Sequence, residues 1–266
     1  MRRLSLLVVA VLALLIPAAV ARAGTPPLPG TMASTGDSIT RGFDATLFGC
    51  FLADCPQDSW ATGSNATVNS QYLRVRALNP AVVAYNDAKT GAKMTALDGQ
   101  LKTAAGQGVQ YATVLMGAND LCTSTIAGMT PTATFQAQFQ MALSDFFTAD
   151  PNAHLFVSSI PNLYQLWSLL HTKASGTWRT FGICQSMLSS SNTETQRQQV
   201  VAREQADNDA LATVCGQFAN CRWDGLATYG YTFTTSDVST VDYFHPSVTG
   251  QKNLAATTWH ASFWGV

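Results

Sequence analysis

Charged side chains are scarce in this sequence, and their scarcity limits what the chain can bind. Asp, Glu, Lys and Arg make up only 12% of the 266 residues, about half the share that is usual in soluble proteins. The formal net charge is −1, and no segment is rich in lysine or arginine. Binding to nucleic acid or to another polyanion is therefore excluded as a function.

Only one apolar run is long enough to span a membrane, and it lies at the N-terminus. Two arginines precede residues 4–16, and Pro17 and a stretch of small residues ending at Ala23 follow them. This order is typical of an export signal that is cleaved near Ala23. Cleavage removes three arginines and no acidic residue, and so changes the formal net charge from −1 to −4. The alternative is an uncleaved anchor, because the run is long for a signal.

The cysteines lack the spacing of a metal site: there is no C-x-x-C pair and no histidine spaced for zinc. We therefore expect no metal and no cofactor. An even number of cysteines behind an export signal indicates disulfides. The alternative is free buried thiols in a reducing compartment. Proximity along the chain favours two short bridges and leaves one long bridge: Cys50–Cys55, Cys215–Cys221 and Cys122–Cys184.

Internal repeats are absent, and residues 24–266 have the length of one globular domain. The predicted strands cover residues 31–35, 82–85, 111–116, 154–158 and, more weakly, 219–223. The predicted helices cover residues 70–78, 93–105, 132–148, 194–215 and 248–263. Strands that alternate with helices predict an α/β fold with a parallel sheet covered on both faces.

Ser38, in the segment GDSIT, lies three residues after the first predicted strand. Active sites of parallel α/β sheets gather at the carboxyl ends of the strands, so the position suits a reactive residue. A serine hydroxyl is a weak nucleophile unless a base activates it. On its own, Ser38 is better explained as a turn residue or a helix cap. It can act as a nucleophile only if other segments supply a base, an orienting acid and an oxyanion site.

Two candidates for an oxyanion site follow the next two predicted strands. Gly91 ends the segment NDAKTG, and a glycine there allows its backbone N–H to approach a substrate oxygen. Asn119, in the segment GAND, carries a side-chain amide that can donate to an oxyanion. The alternatives, a glycine at a helix entry and an Asx turn, are equally common.

Asp242 and His245, in the late segment VDYFHPSVTG, are three residues apart. One turn of chain can bring the carboxylate to one imidazole nitrogen while the other nitrogen faces outward. The alternative is an acid at a helix start beside an incidental histidine. The other histidines suit the role less, because they lie at a strand start, in an irregular region and inside the last helix: His154, His171 and His260.

With these four segments the chain resembles the SGNH or GDSL hydrolases, which are serine esterases and lipases. The resemblance implies a flavodoxin-like, three-layer α/β/α sandwich with about five strands. It also implies Ser38 as nucleophile, His245 as base and Asp242 as its orienting acid, with an oxyanion hole formed by Ser38, Gly91 and Asn119. No G-x-S-x-G motif occurs, which argues against the ordinary α/β-hydrolase fold. The first strand departs from the family's pattern, since it is unusually small and polar.

The predicted function is hydrolysis of carboxylic esters by a secreted, monomeric esterase or lipase. Two apolar segments, residues 43–55 and 161–184, are interpreted as loops that either line an acyl groove beside Ser38 or pack over the core. The expected substrates are small-molecule, lipid or acylated-glycan esters, with at most transient contact with lipid surfaces. The alternatives are a carbohydrate O-acetyl esterase, an acyltransferase and a binding module without activity.

Overall fold

A parallel five-stranded sheet forms the centre of the molecule in a computed structural model that describes residues 25–265. The predicted export signal, residues 1–23, lies outside the described residues. The sheet order is β2-β1-β3-β4-β5, and every neighbouring pair is parallel. The strands are β1 (Thr31–Gly36), β2 (Val83–Asn86), β3 (Tyr111–Leu115), β4 (His154–Val157) and β5 (Cys221–Trp223). The five predicted strands are confirmed, with ends that differ by one or two residues.

Helices cover both faces of this sheet. They are α1 (Gln71–Leu78), α2 (Leu97–Gly106), α3 (Ala118–Leu121), α4 (Thr132–Ala149), α5 (Leu163–Thr180), α6 (Gln185–Leu188), α7 (Glu194–Cys215) and α8 (Val248–Ala261). Side chains of α2, α4, α5 and α7 build the larger core on one face. Side chains of α1 and α8 build the smaller core on the other face. The predicted three-layer α/β/α sandwich is confirmed.

The strands feed both cores because their side chains alternate between the two faces. In β3, Val114 lies in the larger core and Leu115 in the smaller one.

The polar strand β1 also fits this buried position, since its hydroxyls have partners. Ser34 Oγ lies 2.7 Å from Thr62 Oγ1, and Thr35 Oγ1 donates to the Thr113 carbonyl. The small, polar first strand therefore leaves neither of these buried hydroxyls unsatisfied.

The interpretation of residues 161–184 as a loop is wrong, because most of the segment forms α5. His171 consequently lies on a helix rather than in an irregular region. The buried side chains of this helix recur every three or four residues, which is the helical period. They are Leu163, Leu166, Leu170, Ala174 and Trp178. The short helices α3 and α6 were not predicted either, since four residues are too few to show a period.

The cysteine pairing follows the prediction, with three disulfides: Cys50–Cys55, Cys122–Cys184 and Cys215–Cys221. Disulfides are typical of exported proteins, so the pairing fits a location outside the cell. Within residues 25–265, none of the helices combines the length and the hydropathy that crossing a bilayer requires.

Candidate active site

Ser38 lies on the turn that follows β1, at the carboxyl end of the sheet. The turn depends on Gly36, which has a φ of +144° and whose Cβ, if present, would lie 2.3 Å from the carbonyl oxygen of Leu115. Only glycine tolerates both conditions. The side chain of Gln100 accepts the N–H of Gly36 and donates to its carbonyl. Ser38 is thus presented from a closely held strand end.

His245 joins Ser38 to Asp242 through two hydrogen bonds. Its Nε2 lies 2.8 Å from Ser38 Oγ, and its Nδ1 lies 2.5 Å from Asp242 Oδ2. The other carboxylate oxygen, Oδ1, accepts the backbone N–H groups of Phe244 and His245 at 2.9 and 3.1 Å. The carboxylate is therefore fixed by its own loop, and it holds the imidazole with Nε2 toward the serine.

The electrostatics of the pair favour a charged acid. Burial raises the pKa of Asp242, but the hydrogen bonds and the charge of His245 outweigh it and leave the pKa below its usual value. The ring centroids of Phe43 and Phe244 each lie 5.0 Å from the imidazole centroid of His245. Asp242 can therefore stabilise an imidazolium in surroundings that contain little water.

Asp44 is a second carboxyl group beside this pair, and the sequence reasoning missed it. Oxygen atoms of Asp44 and Asp242 and a nitrogen of His245 all lie within 4.8 Å of one another. Asp44 is buried, and its Oδ1 accepts the N–H of Leu52. Burial raises its pKa, and the charge of Asp242 raises it further. No spacing motif marks Asp44, because only the folded loop brings it to the histidine.

The three predicted oxyanion donors lie at neighbouring strand ends. Gly91 has a φ of +78°, a conformation that favours glycine. Asn119 lies in α3 and its Nδ2 donates to the Ala92 carbonyl at 3.0 Å, which orients the amide and leaves its second N–H available. Among the described residues, no hydrogen bond engages the backbone N–H of Ser38 or of Gly91. All three donors can therefore serve an incoming oxygen.

Asp120 holds the Asn119 helix in place and was also missed by the sequence reasoning. Its Oδ2 accepts the N–H of Met94 at 2.8 Å, and its Oδ1 accepts the hydroxyl of Thr130. These bonds connect α3 to the segments on either side of it. The carboxyl thus positions Asn119 without facing the cleft itself.

One cleft of about 330 Å³ contains all five predicted site residues, Ser38, Gly91, Asn119, Asp242 and His245. No other histidine lines it. Its remaining walls are largely apolar and include Phe43, Phe51, Leu52, Phe181, Ile183 and Phe244. A separate, smaller cavity of about 90 Å³ lies among α5, α8 and the loop around Phe233, and it contains neither the serine nor the histidine.

Comparison with known families identifies the chain. The model of the GDSL-like lipase/acylhydrolase family matches residues 35–252. The chain belongs to this family. It is therefore a carboxylic ester hydrolase. The matched segment includes all five residues of the predicted site, Ser38, Gly91, Asn119, Asp242 and His245. No curated protein sequence matches this GDSL hydrolase.

Solved structures share the fold of this GDSL hydrolase at low sequence identity. A protein from Parabacteroides merdae assigned to the GDSL-like lipases is 16% identical, with a TM-score of 0.56 over 87% of this chain and 94% of its own. The extracellular lipase from Streptomyces rimosus is also 16% identical, with a TM-score of 0.54 over 87% and 99%. The acetyl xylan esterase AlAXEase is 13% identical, with a TM-score of 0.51 over 87% and 98%.

Asp37 precedes the serine of this GDSL hydrolase and holds the turn, since its Oδ1 accepts the N–H of Ile39 at 2.9 Å. Its other oxygen is buried without a partner. Burial raises the pKa of Asp37 to about 7. The folded protein keeps this proton up to about pH 7, whereas the unfolded chain releases it near pH 3.8. The stability that this protonated carboxyl contributes is fully present below the unfolded pKa. It is lost progressively as the pH rises from there through about 7.

We expect the free energy of unfolding of Asp37→Asn to exceed that of the wild type by an amount that grows as the pH rises from about 4 to about 7. The amide can still accept the N–H of Ile39 but has no carboxyl proton to lose. The gain is at most about 4 kcal/mol, at about 1.4 kcal/mol per pH unit. Urea unfolding across this pH range measures it, with Asp209→Asn on the surface of α7 as the control. A constant difference would show that Asp37 does not titrate on folding.

Proposed function

We propose that Ser38 attacks the ester carbonyl and forms an acyl-enzyme. The observation that supports this proposal is the continuous hydrogen-bonded chain from Ser38 through His245 to Asp242. As Ser38 Oγ bonds to the carbonyl carbon, His245 Nε2 takes its proton and then gives it to the leaving alcohol. Water attacks the acyl-enzyme by the same route and releases the acid. Asp242 keeps the proton on Nδ1 and stabilises the imidazolium.

The negative charge on the carbonyl oxygen is held by three donors in this proposal. They are the backbone N–H groups of Ser38 and Gly91 and the side-chain amide of Asn119. Donors that are fixed before the reaction stabilise the transition state without reorganising. The hydrogen bond from Asn119 to Ala92 supplies that fixation.

Ser38→Ala is expected to abolish ester hydrolysis and to leave the fold unchanged, because it removes the nucleophile and one hydrogen bond. Hydrolysis of p-nitrophenyl butyrate and labelling by a fluorophosphonate probe measure the loss, and the labelled wild-type peptide should contain Ser38. Thermal unfolding followed by circular dichroism controls for folding. Turnover or labelling that persists in Ser38→Ala would remove this residue from its role.

Asn119→Ala is expected to lower kcat by roughly 10² to 10³, as for other oxyanion donors, and to change KM little. Asn220→Ala is the matched control, because Asn220 also donates its amide to a backbone carbonyl, that of Pro151, but lies outside the cleft. Its kcat should equal that of the wild type. A loss below about fivefold in Asn119→Ala would limit this residue to shaping its turn.

We propose medium-chain acyl esters or lipid esters as the substrates. The walls beside Ser38 carry Phe43, Leu52 and Phe181 and offer an apolar surface longer than an acetyl group needs. We also propose that residues 1–23 direct export and are cleaved near Ala23, and that residues 24–266 act as one monomeric domain. Any contact with lipid surfaces is transient in this proposal.

A series of p-nitrophenyl esters from acetate to decanoate tests this substrate class. We expect kcat/KM to rise by roughly two- to fourfold for each methylene that enters the cleft. Phe181→Ala should flatten this rise, whereas Leu78→Ala, on the surface of α1, should not. A steep fall beyond butyrate would instead identify an O-acetyl esterase.

A further inference from the structure

Apolar side chains are concentrated around the mouth of the cleft. Of the ten large apolar side chains that are strongly exposed within residues 25–265, three line the cleft and two more lie on the same loop as Phe51 and Leu52. We call them the apolar rim: Leu47 (52% exposed), Phe48 (87%), Phe51 (59%), Leu52 (52%) and Phe181 (61%). Single exposed apolar residues are normal on a protein surface, but a contiguous group indicates a contact surface.

The rim is continuous with the cleft that holds Ser38. Phe51, Leu52 and Phe181 line the cleft, whereas Leu47 and Phe48 are exposed on the same loop as Phe51 but outside the lining of the cleft. The two walls are also free of charged residues over long stretches: none occurs at positions 45–53 or 180–193. A contact made by this surface is therefore apolar and uncharged.

Bonds at the base of the rim keep it exposed. Cys50–Cys55 closes the loop, and both cysteines are buried while their apolar neighbours are not. The buried carboxyl of Asp44 accepts the N–H of Leu52, and the N–H of Asp44 donates to Ala53. The four rim side chains of this loop therefore stay in water in the absence of a partner, which is unfavourable for apolar groups.

We propose that the apolar rim adsorbs the enzyme to the surface of aggregated neutral lipid esters, so that the ester enters the cleft from that surface. This inference rests on the proposed function, since it assigns the source of the substrate. A second copy of the chain would fit the apolar surface as well, but it would cover the mouth through which the substrate reaches Ser38. A lipid surface both covers the apolar side chains of the rim and supplies the ester.

The test uses a double variant, Leu47→Gln with Phe48→Gln, because these side chains are exposed and do not line the cleft. The matched control is Leu78→Gln with Met141→Gln, whose side chains are 65% and 50% exposed on α1 and α4. Each pair is placed in the Ser38→Ala background and mixed with neutral phosphatidylcholine vesicles. Flotation measures binding without any contribution from catalysis.

We expect the rim variant to lose roughly tenfold or more of its vesicle binding, and the control variant to bind as the parent does. With Ser38 present, the rim variant should hydrolyse monomeric p-nitrophenyl butyrate within about twofold of the wild type and emulsified triacylglycerol roughly tenfold more slowly.

Two results would overturn the proposal. One is equal vesicle binding by the rim variant and its parent. The other is a stable dimer that the rim variant separates, which would make the rim a protein interface. Neither result touches the role of Ser38, which depends on the hydrolysis of monomeric ester.

Discussion

The hydrogen bond between Ser38 Oγ and His245 Nε2 is the contact on which the reactive site depends. It joins residues that are 207 positions apart, so the turn after β1 and the loop before α8 must meet. Gln251 of α8 secures this meeting: its side chain accepts the N–H of Trp60 and donates to the Ile39 carbonyl. A displacement of about 1 Å at either partner would interrupt proton transfer. The packing of α8 thus helps to bring Ser38 and His245 together.

Buried carboxyl groups that accept backbone N–H groups hold the loops around this contact. Asp37, Asp44 and Asp120 each serve a loop in this way, and burial raises the pKa of all three. Asp242 is the exception, since its pKa is lowered by His245. The environment therefore distinguishes the acid that faces the histidine from the acids that only hold the chain.

One of the three disulfides lies in a wall of the cleft, and a second closes the loop that carries two other wall residues, Phe51 and Leu52. Cys50–Cys55 supports the loop of the apolar rim, and Cys122–Cys184 ties the end of α3 to the segment that carries Phe181. Apolar loops without such support would collapse onto the core, because exposed apolar surface is unfavourable in water. The scarcity of charge in this chain and its cysteine pairing thus contribute to the same feature, an open and uncharged cleft mouth.

The sequence by itself determined the sheet, its covering helices and the five residues of the predicted site, because strand and helix periods and strand-end motifs are local patterns. Even α5 had a readable period, which the aromatic content of residues 161–184 obscured. Only the tertiary structure decided the roles of Asp44, Asp120 and Gln251 and the exposure of the apolar rim. Their contacts join segments that are distant along the chain. A short-range sequence pattern does not show which distant group a side chain will contact.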